Sequence, residues 1–289
     1  MENVQRNCIS YKVDKDNLNL ISIVSNIKKD LVLYYHLIQM NFLTGLQYKG
    51  WPLMILQTLL VVITDPIGLI FMFARFGSIG EWSVYRIMLI YAIAVTSFGL
   101  AESFCRGFDY FPWKMIRSGD FDRLLLRPRS LMAQVAGSYF HIHRFARVVS
   151  GLVTTIYCLR ELKVSLSWLD ICMLVMAFLG GFFTYTGVFV ITSGIAFFSI
   201  KGLDWIYIFT NVSYQVTRCP MDYMPAALKY LFTFFMPMLV ISYYPAASIC
   251  GWTDSYYKGF LALPAGIAFF LMASLVWRFG VRHYKSTGS

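Results

Sequence analysis

Few side chains in this sequence have the types and spacing for covalent chemistry. The four histidines are His36, His141, His143 and His283. His141-x-His143 is the one close pair, but an i, i+2 spacing does not align two imidazoles on a helix as a zinc site requires. No cysteine or carboxylate stands beside it in the chain. Cys8, Cys105, Cys158, Cys172, Cys219 and Cys250 are scattered, without a Cys-x-x-Cys, and read as small buried apolar residues. A Gly-x-Ser-x-Gly elbow and a His-Glu-x-x-His motif are both missing. The nearest approach to a phosphate loop, Gly280…Lys285-Ser286, lacks a second glycine and a following helix. The expectation is therefore a chain that is not an enzyme and holds neither metal nor cofactor.

Five charged groups stand out for another reason. Asp65, followed by Pro66, interrupts an apolar run over 51–74. A carboxylate there would line a path or pair with an arginine, unless the span shifts and leaves it near the outer interface. Glu102 and Arg106 are i, i+4 and can pair with each other. Arg144 and Arg147 stand near one helical face at the start of another apolar run. They would anchor topology, or meet lipid phosphates or an anionic solute. The possible translocation-path residues are thus Asp65, Arg144 and Arg147.

The longest polar insertion between apolar runs is Arg106–Ser130. Ser118-Gly119-Asp120 makes a turn, and Asp120 is expected to cap the next helix by accepting from free backbone N–H groups. Asp122 in the first turn and Arg123 and Arg127 later suit the helix dipole. Pro128 stops the helix and Ser130 caps another. The short helix would show Phe121, Leu124, Leu125 and Leu126 among basic residues, as a plug for a partner's groove or an element resting on lipid headgroups.

These groups need elements to position them, and the composition says which. Of 289 residues, 58% are apolar and 14% charged, against about 25% charged in soluble domains. Mean hydropathy is +0.59. Spanning a bilayer core takes about 20 helical residues. Charges delimit six such runs, at about 51–73, 84–104, 138–159, 169–198, 230–250 and 259–279. The second and third have short uncharged cores and rely on snorkelling Arg86, Arg144 and Arg147. The fold class expected is an all-α polytopic membrane protein with six transmembrane helices. Residues 205–217 are expected at an interface, and residues 1–25 are polar, without the apolar core of a secretory leader.

The net charge of +10 has a topological explanation. All of the 25 Lys and Arg except Arg75, Arg86, Arg160, Lys163 and Lys258 fall in segments on one side of the six spans. That side is the cytoplasmic one, which places both termini there and removes any need for nucleic acid as a partner. Ile27, Leu31, Tyr34, Tyr35, Ile38 and Phe42 recur at helical spacing, with Lys28, Lys29, His36 and Gln39 largely elsewhere around the helix. This predicts an amphipathic interfacial helix before the first span. Gly180, Gly187 and Gly194 repeat every seven residues and predict close helix packing. Pro237 and Pro245 should bend the fifth span.

The stretch Ser118-Gly119-Asp120-Phe121-Asp122-Arg123-Leu124-Leu125-Leu126-Arg127-Pro128 resembles the signature of ABC-2 family transporter permeases, a bacterial subfamily in particular. The resemblance continues through Gly151, Gly180-Gly181, Pro220…Pro225, Phe234-Phe235-Met236-Pro237 and Tyr244-Pro245-Ala246-Ala247. It covers residues 27–285, leaving 1–26 as a polar extension and 286–289 as a tail. It implies a plasma-membrane subunit with six spans, cytoplasmic termini and a cytoplasmic coupling segment, here within 105–130. It also implies two partners: a separate ABC ATPase, which binds ATP and Mg, and a second permease subunit, identical or related. Cargo in the family includes drugs, antibiotics, lipid-like compounds and peptides. The coupling role carries over to Asp120, Asp122, Arg123, Arg127 and Pro128, with Phe121, Leu124 and Leu125 as the apolar side of the same helix.

The mechanism expected is mechanical. Closure of the ATPase would push the 119–127 helix, taken as continuous through Ser130 with the third span, and tilt the bundle. An ATP-independent secondary transporter or channel is the alternative, but repeated halves and paired broken helices around midplane charges are not apparent. An intramembrane enzyme would need a constellation of His, Asp, Glu or Ser within the spans, which is also lacking.

Overall fold

Two serines open the helices around which the bundle is built. The Ser83 side chain accepts from the Arg86 N–H at 3.4 Å and starts a helix over Val84–Phe111. Ser167 starts another over Trp168–Ala196 through a capping box, its own N–H donating to Asp170 Oδ2 at 2.8 Å. The computed structural model describes residues 20–77, 82–198, 215–216, 223–253 and 255–284. Among these the secondary structure is helical: α1 Leu20–Gln47, α2 Trp51–Phe76, α3 Val84–Phe111, α4 Phe121–Leu125, α5 Leu131–Gly137, α6 Phe145–Glu161, α7 Trp168–Ala196, α8 Ala226–Tyr230, α9 Met238–Ile249 and α10 Ala262–His283. The expected interfacial segment 205–217 lies almost wholly outside the described residues, as do 1–19 and the tail 286–289.

Among the described residues, four helical stretches are long and apolar enough to cross a membrane: Trp51–Phe76, Val84–Ile116, Trp168–Ala196 and Tyr256–His283. The pair Ala226–Phe235 and Met238–Ile249 would make a fifth, but it is bent by 96°. Pro237 sits at that break, where Met236 turns to extended backbone, whereas Pro245 lies inside α9 without interrupting it. The expected span over 138–159 begins later than its apolar pattern suggested. Residues 139–141 are non-helical, a single 3-10 turn covers Ile142–Arg144, and α6 starts at Phe145. With 17 residues, α6 is about 26 Å long, short of a core of about 30 Å.

The centre of the bundle is α3. Its most apolar stretch is 89% buried, against 17% for α2 at the periphery. It packs chiefly on α6 and α7, and α7 packs on α10 in the most extensive contact of the fold. The glycine repeat explains that last contact. A Cβ at Gly180 would run into the Ala262 carbonyl, one at Gly187 would meet the Phe269 ring at 2.7 Å, and one at Gly194 would press on Val276 at 3.1 Å. The predicted role as a packing stripe is therefore met inside this chain, by α10. α1 lies across α5: Asn41 donates to the Gly137 carbonyl at 2.8 Å, and Tyr34 donates to the Phe104 carbonyl of α3 at 2.6 Å. Its apolar residues divide between that contact, through Tyr34 and Leu37 against Gly137, and an exposed set including Leu31, Tyr35, Met40 and Leu43. The helix begins by Leu20, inside the stretch read as a polar extension.

Candidate functional site

α3 does not stop at Phe111 but widens into a π-helical turn, Pro112–Ile116, that leads to the 118–130 segment. Gly119 then turns at a φ of 77°, a conformation glycine adopts without strain. Asp120 follows in helical geometry, φ −65° and ψ −17°, and makes no side-chain cap. This corrects the capping expectation: an N-cap needs extended backbone to aim its carboxylate at the free N–H groups. Instead the Asp120 carboxylate takes Ser118 Oγ at 2.8 Å and Arg123 Nη1 at 3.4 Å. Ser130 does cap, accepting from Ala133 N–H at 3.4 Å.

The faces of α4 also differ from expectation. Phe121 points inward and is fully buried. Its ring packs edge-on or tilted against Phe111 at the end of α3, Phe197 just after α7, and Tyr284 just after α10, at centroid separations of 5.2, 5.2 and 4.9 Å. Trp277 of α10 closes the cluster against Phe111 at 4.9 Å. Leu124 is half-buried against the same core, while Leu125 and Leu126 are exposed. Asp120, Arg123, Arg127 and Pro128 are exposed, and Asp122 is partly so. A groove of about 260 Å³ runs beside them, lined by Lys114, Asp120, Arg123, Leu124 and Arg127, with Tyr139 at its far side. The exposed leucines and basic groups thus share a surface, but Phe121 belongs to the bundle.

That arrangement changes what a push on α4 would move. α4 ends at Leu125, and non-helical residues separate it from α5, which is itself separated from α6 by 138–141. A rigid rod from 119 through Ser130 into the third span is absent. The continuous link is lateral, from Phe121 into the ends of α3, α7 and α10. Phe111, Phe197, Trp277 and Tyr284 were not identifiable from local sequence, because they meet only in three dimensions.

A second constellation lies where α3 meets α6. Glu102, 2% exposed, accepts from Arg106 at 2.6 Å, from Arg144 at 3.2 Å and, in a short contact, from Arg147. Arg106 also pairs with Asp109 at 3.1 Å. The expected Glu102–Arg106 pair is present but is one edge of a larger network. Arg147 additionally lies over the Phe98 ring, its guanidinium carbon 5.2 Å from the centroid. Arg144 and Arg147 are thus ion-paired, and Asp65 is remote from them. It stands 14 residues beyond Trp51 on α2, about 21 Å along the helix, and accepts a short hydrogen bond from the Tyr91 hydroxyl of α3. The three path candidates are therefore not brought together.

Beside Arg144 the chain leaves a half-open cavity of about 570 Å³ between α1, the first two turns of α2 and residues 139–144. His141 and His143 line it with rings 5.2 Å apart. Burial, and then the neighbouring Arg144 charge, pushes His143 down to about 4 and lowers His141 as well.

The pattern of the family described as ABC-2 family transporter protein matches residues 59–288. The chain belongs to that family. It is a multi-pass membrane protein of ABC-transporter permease type. No curated protein and no solved structure matches it.

Proposed function

We propose that this chain is the permease half of an ATP-driven exporter, coupled through the 112–130 segment to a separate ATPase subunit that binds ATP and Mg. The observation that carries the reading is the two-sided build of α4. Its outer side offers Arg123 and Leu125, continued by Leu126 and Arg127 in the turn after it, to a partner, and its inner side drives Phe121 into the ends of three helices. A force applied outside would reach α3, α7 and α10 through that ring cluster. The distribution of Lys and Arg supports a cytoplasmic position for this segment and for both termini in a bacterial plasma membrane. In this reading α6 is the sixth span, its length made up by Arg144 and Arg160 snorkelling at its ends. A second permease subunit, identical or related, completes the pathway. The cargo class is that of the family: drug, antibiotic, lipid-like compound or peptide. Of Asp65, Arg144 and Arg147, Arg144 is the one that lines the cavity beside α1.

The test uses Arg123→Glu and Leu125→Asp. Each is expected to reach the membrane in normal amount yet to lose transport and stimulation of its ATPase. Normal stimulation and transport by either variant would remove the coupling assignment.

A further inference from the structure

The cavity beside Arg144 has features that the coupling mechanism does not use. Among its described lining residues there is no carboxylate, whereas Arg144, His141, His143, Asn41 and Gln57 all face it. Arg144 is incompletely satisfied. Its Nε–H is buried without a hydrogen-bond partner, and its contact at 3.2 Å is to the same Glu102 oxygen that Arg106 holds at 2.6 Å. Shared in this way, Oε1 cannot fully neutralise the outer guanidinium, and a buried unpaired donor is costly. The remaining wall is aromatic and apolar, with Phe42, Tyr48, Trp51 and Met54 on one side and Tyr110 and Tyr139 on the other. Trp51 is the first residue of a helix apolar enough to cross a membrane, so the cavity sits at the level where the chain enters the bilayer. An occupant there meets the Arg144 guanidinium with neutral imidazole and amide groups at one end and hydrocarbon at the other, and amphipathic rings suit that depth.

We propose that this cavity binds an anionic amphiphile, with a phosphate or carboxylate headgroup on Arg144, His141 and His143 and its hydrocarbon along Phe42, Trp51 and Met54. The membrane depth favours an amphiphile over an acidic peptide. The site would serve a resident lipid or an anionic cargo alike, since both present the same chemistry. It stands on this chain's geometry, and its binding test is independent of the ATPase.

The experiment is native mass spectrometry of the purified full-length protein titrated with phosphatidylglycerol and, separately, with phosphatidylcholine of the same acyl chains. The expected preference for phosphatidylglycerol is at least about tenfold, equivalent to about 1.4 kcal/mol. His143→Glu places a carboxylate against the headgroup site, and Gly45→Trp fills the cavity from α1, where an added Cβ meets nothing within 4 Å. Both should abolish the preference, and Gly45→Trp should do so while leaving thermal unfolding unchanged. Equal affinity for the two lipids, or a preference that survives in well-folded Gly45→Trp, overturns the proposal. A fluorescent phosphatidylglycerol in inside-out native membrane vesicles separates the sources. ATP-dependent transfer between leaflets marks cargo, and selective binding without transfer marks a resident lipid. Selective binding in a protein that shows no ATP dependence at all would retain the site and remove the exporter reading.

Discussion

Two ion pairs of nearly identical sequence spacing lie less than twenty residues apart and do opposite things. Asp120 and Arg123 are i, i+3, separated by 3.4 Å, with side chains 52% and 82% exposed. Glu102 and Arg106 are i, i+4, separated by 2.6 Å, and 2% and 7% exposed. Exposed pairs of the first kind contribute about 0–1 kcal/mol, so water or a partner can replace either side at little cost. Buried pairs of the second kind cannot be opened one side at a time without stranding a charge. The difference explains a division of labour. The 118–130 surface is open to water or a partner, and the Glu102 network fastens α3 to α6.

The largest effect should come from breaking the buried side of the comparison. Glu102→Ala leaves Arg106, Arg144 and Arg147 without their shared carboxylate and should cost about 3–5 kcal/mol, seen as lost yield and a lower thermal midpoint in detergent. A variant as stable as the parent would show that the network does not hold α3 and α6 together. Phe121→Ala removes the ring that ties the exposed segment to the bundle. Truncating a buried phenylalanine costs about 3–5 kcal/mol in soluble proteins. The expected signature here is a lower midpoint together with loss of ATPase stimulation, rescued in part by Phe121→Leu.

Arg123→Glu sharpens the contrast from the exposed side. Its effect on unfolding should stay within about 1 kcal/mol, while its effect on coupling is large. Equal sensitivity of stability and coupling would erase the distinction between the two regions. The smallest effect concerns His143. Its proton is held off by burial and by Arg144, so it titrates near 4 in the folded protein against 6.5 as the ordinary value. The unfolded chain takes up the proton first as pH falls, and stability is therefore lost between about 6.5 and 4. His143→Asn should flatten that part of a pH series of thermal midpoints, and an unchanged slope would contradict the burial.

Much of the frame was legible because it depends on local pattern. Uncharged runs marked the apolar helices, and the seven-residue glycine repeat marked a close contact that α10 fills. Ser130 announced a helix start from its residue type. What sequence could not show was direction and distance. A five-residue helix such as α4 has too few turns for periodicity to say which side is buried, so Phe121 looked like part of an outward plug. The Glu102 network joins residues about forty positions apart, and the i, i+4 pair within it gave no hint of Arg144 and Arg147. The span expected from 138 contained a non-helical stretch at 139–141, because sequence pattern does not distinguish helix from extended chain over so few residues.

In the proposed mechanism the exposed 118–130 surface receives a separate ATPase. Affinity purification of the protein from native membranes in mild detergent, with mass spectrometry of what accompanies it, tests this most directly. The expected result is a stoichiometric soluble ATPase that disappears when residues 119–127 are scrambled in a protein that still reaches the membrane. A chain that purifies alone and still moves solute without ATP would contradict it.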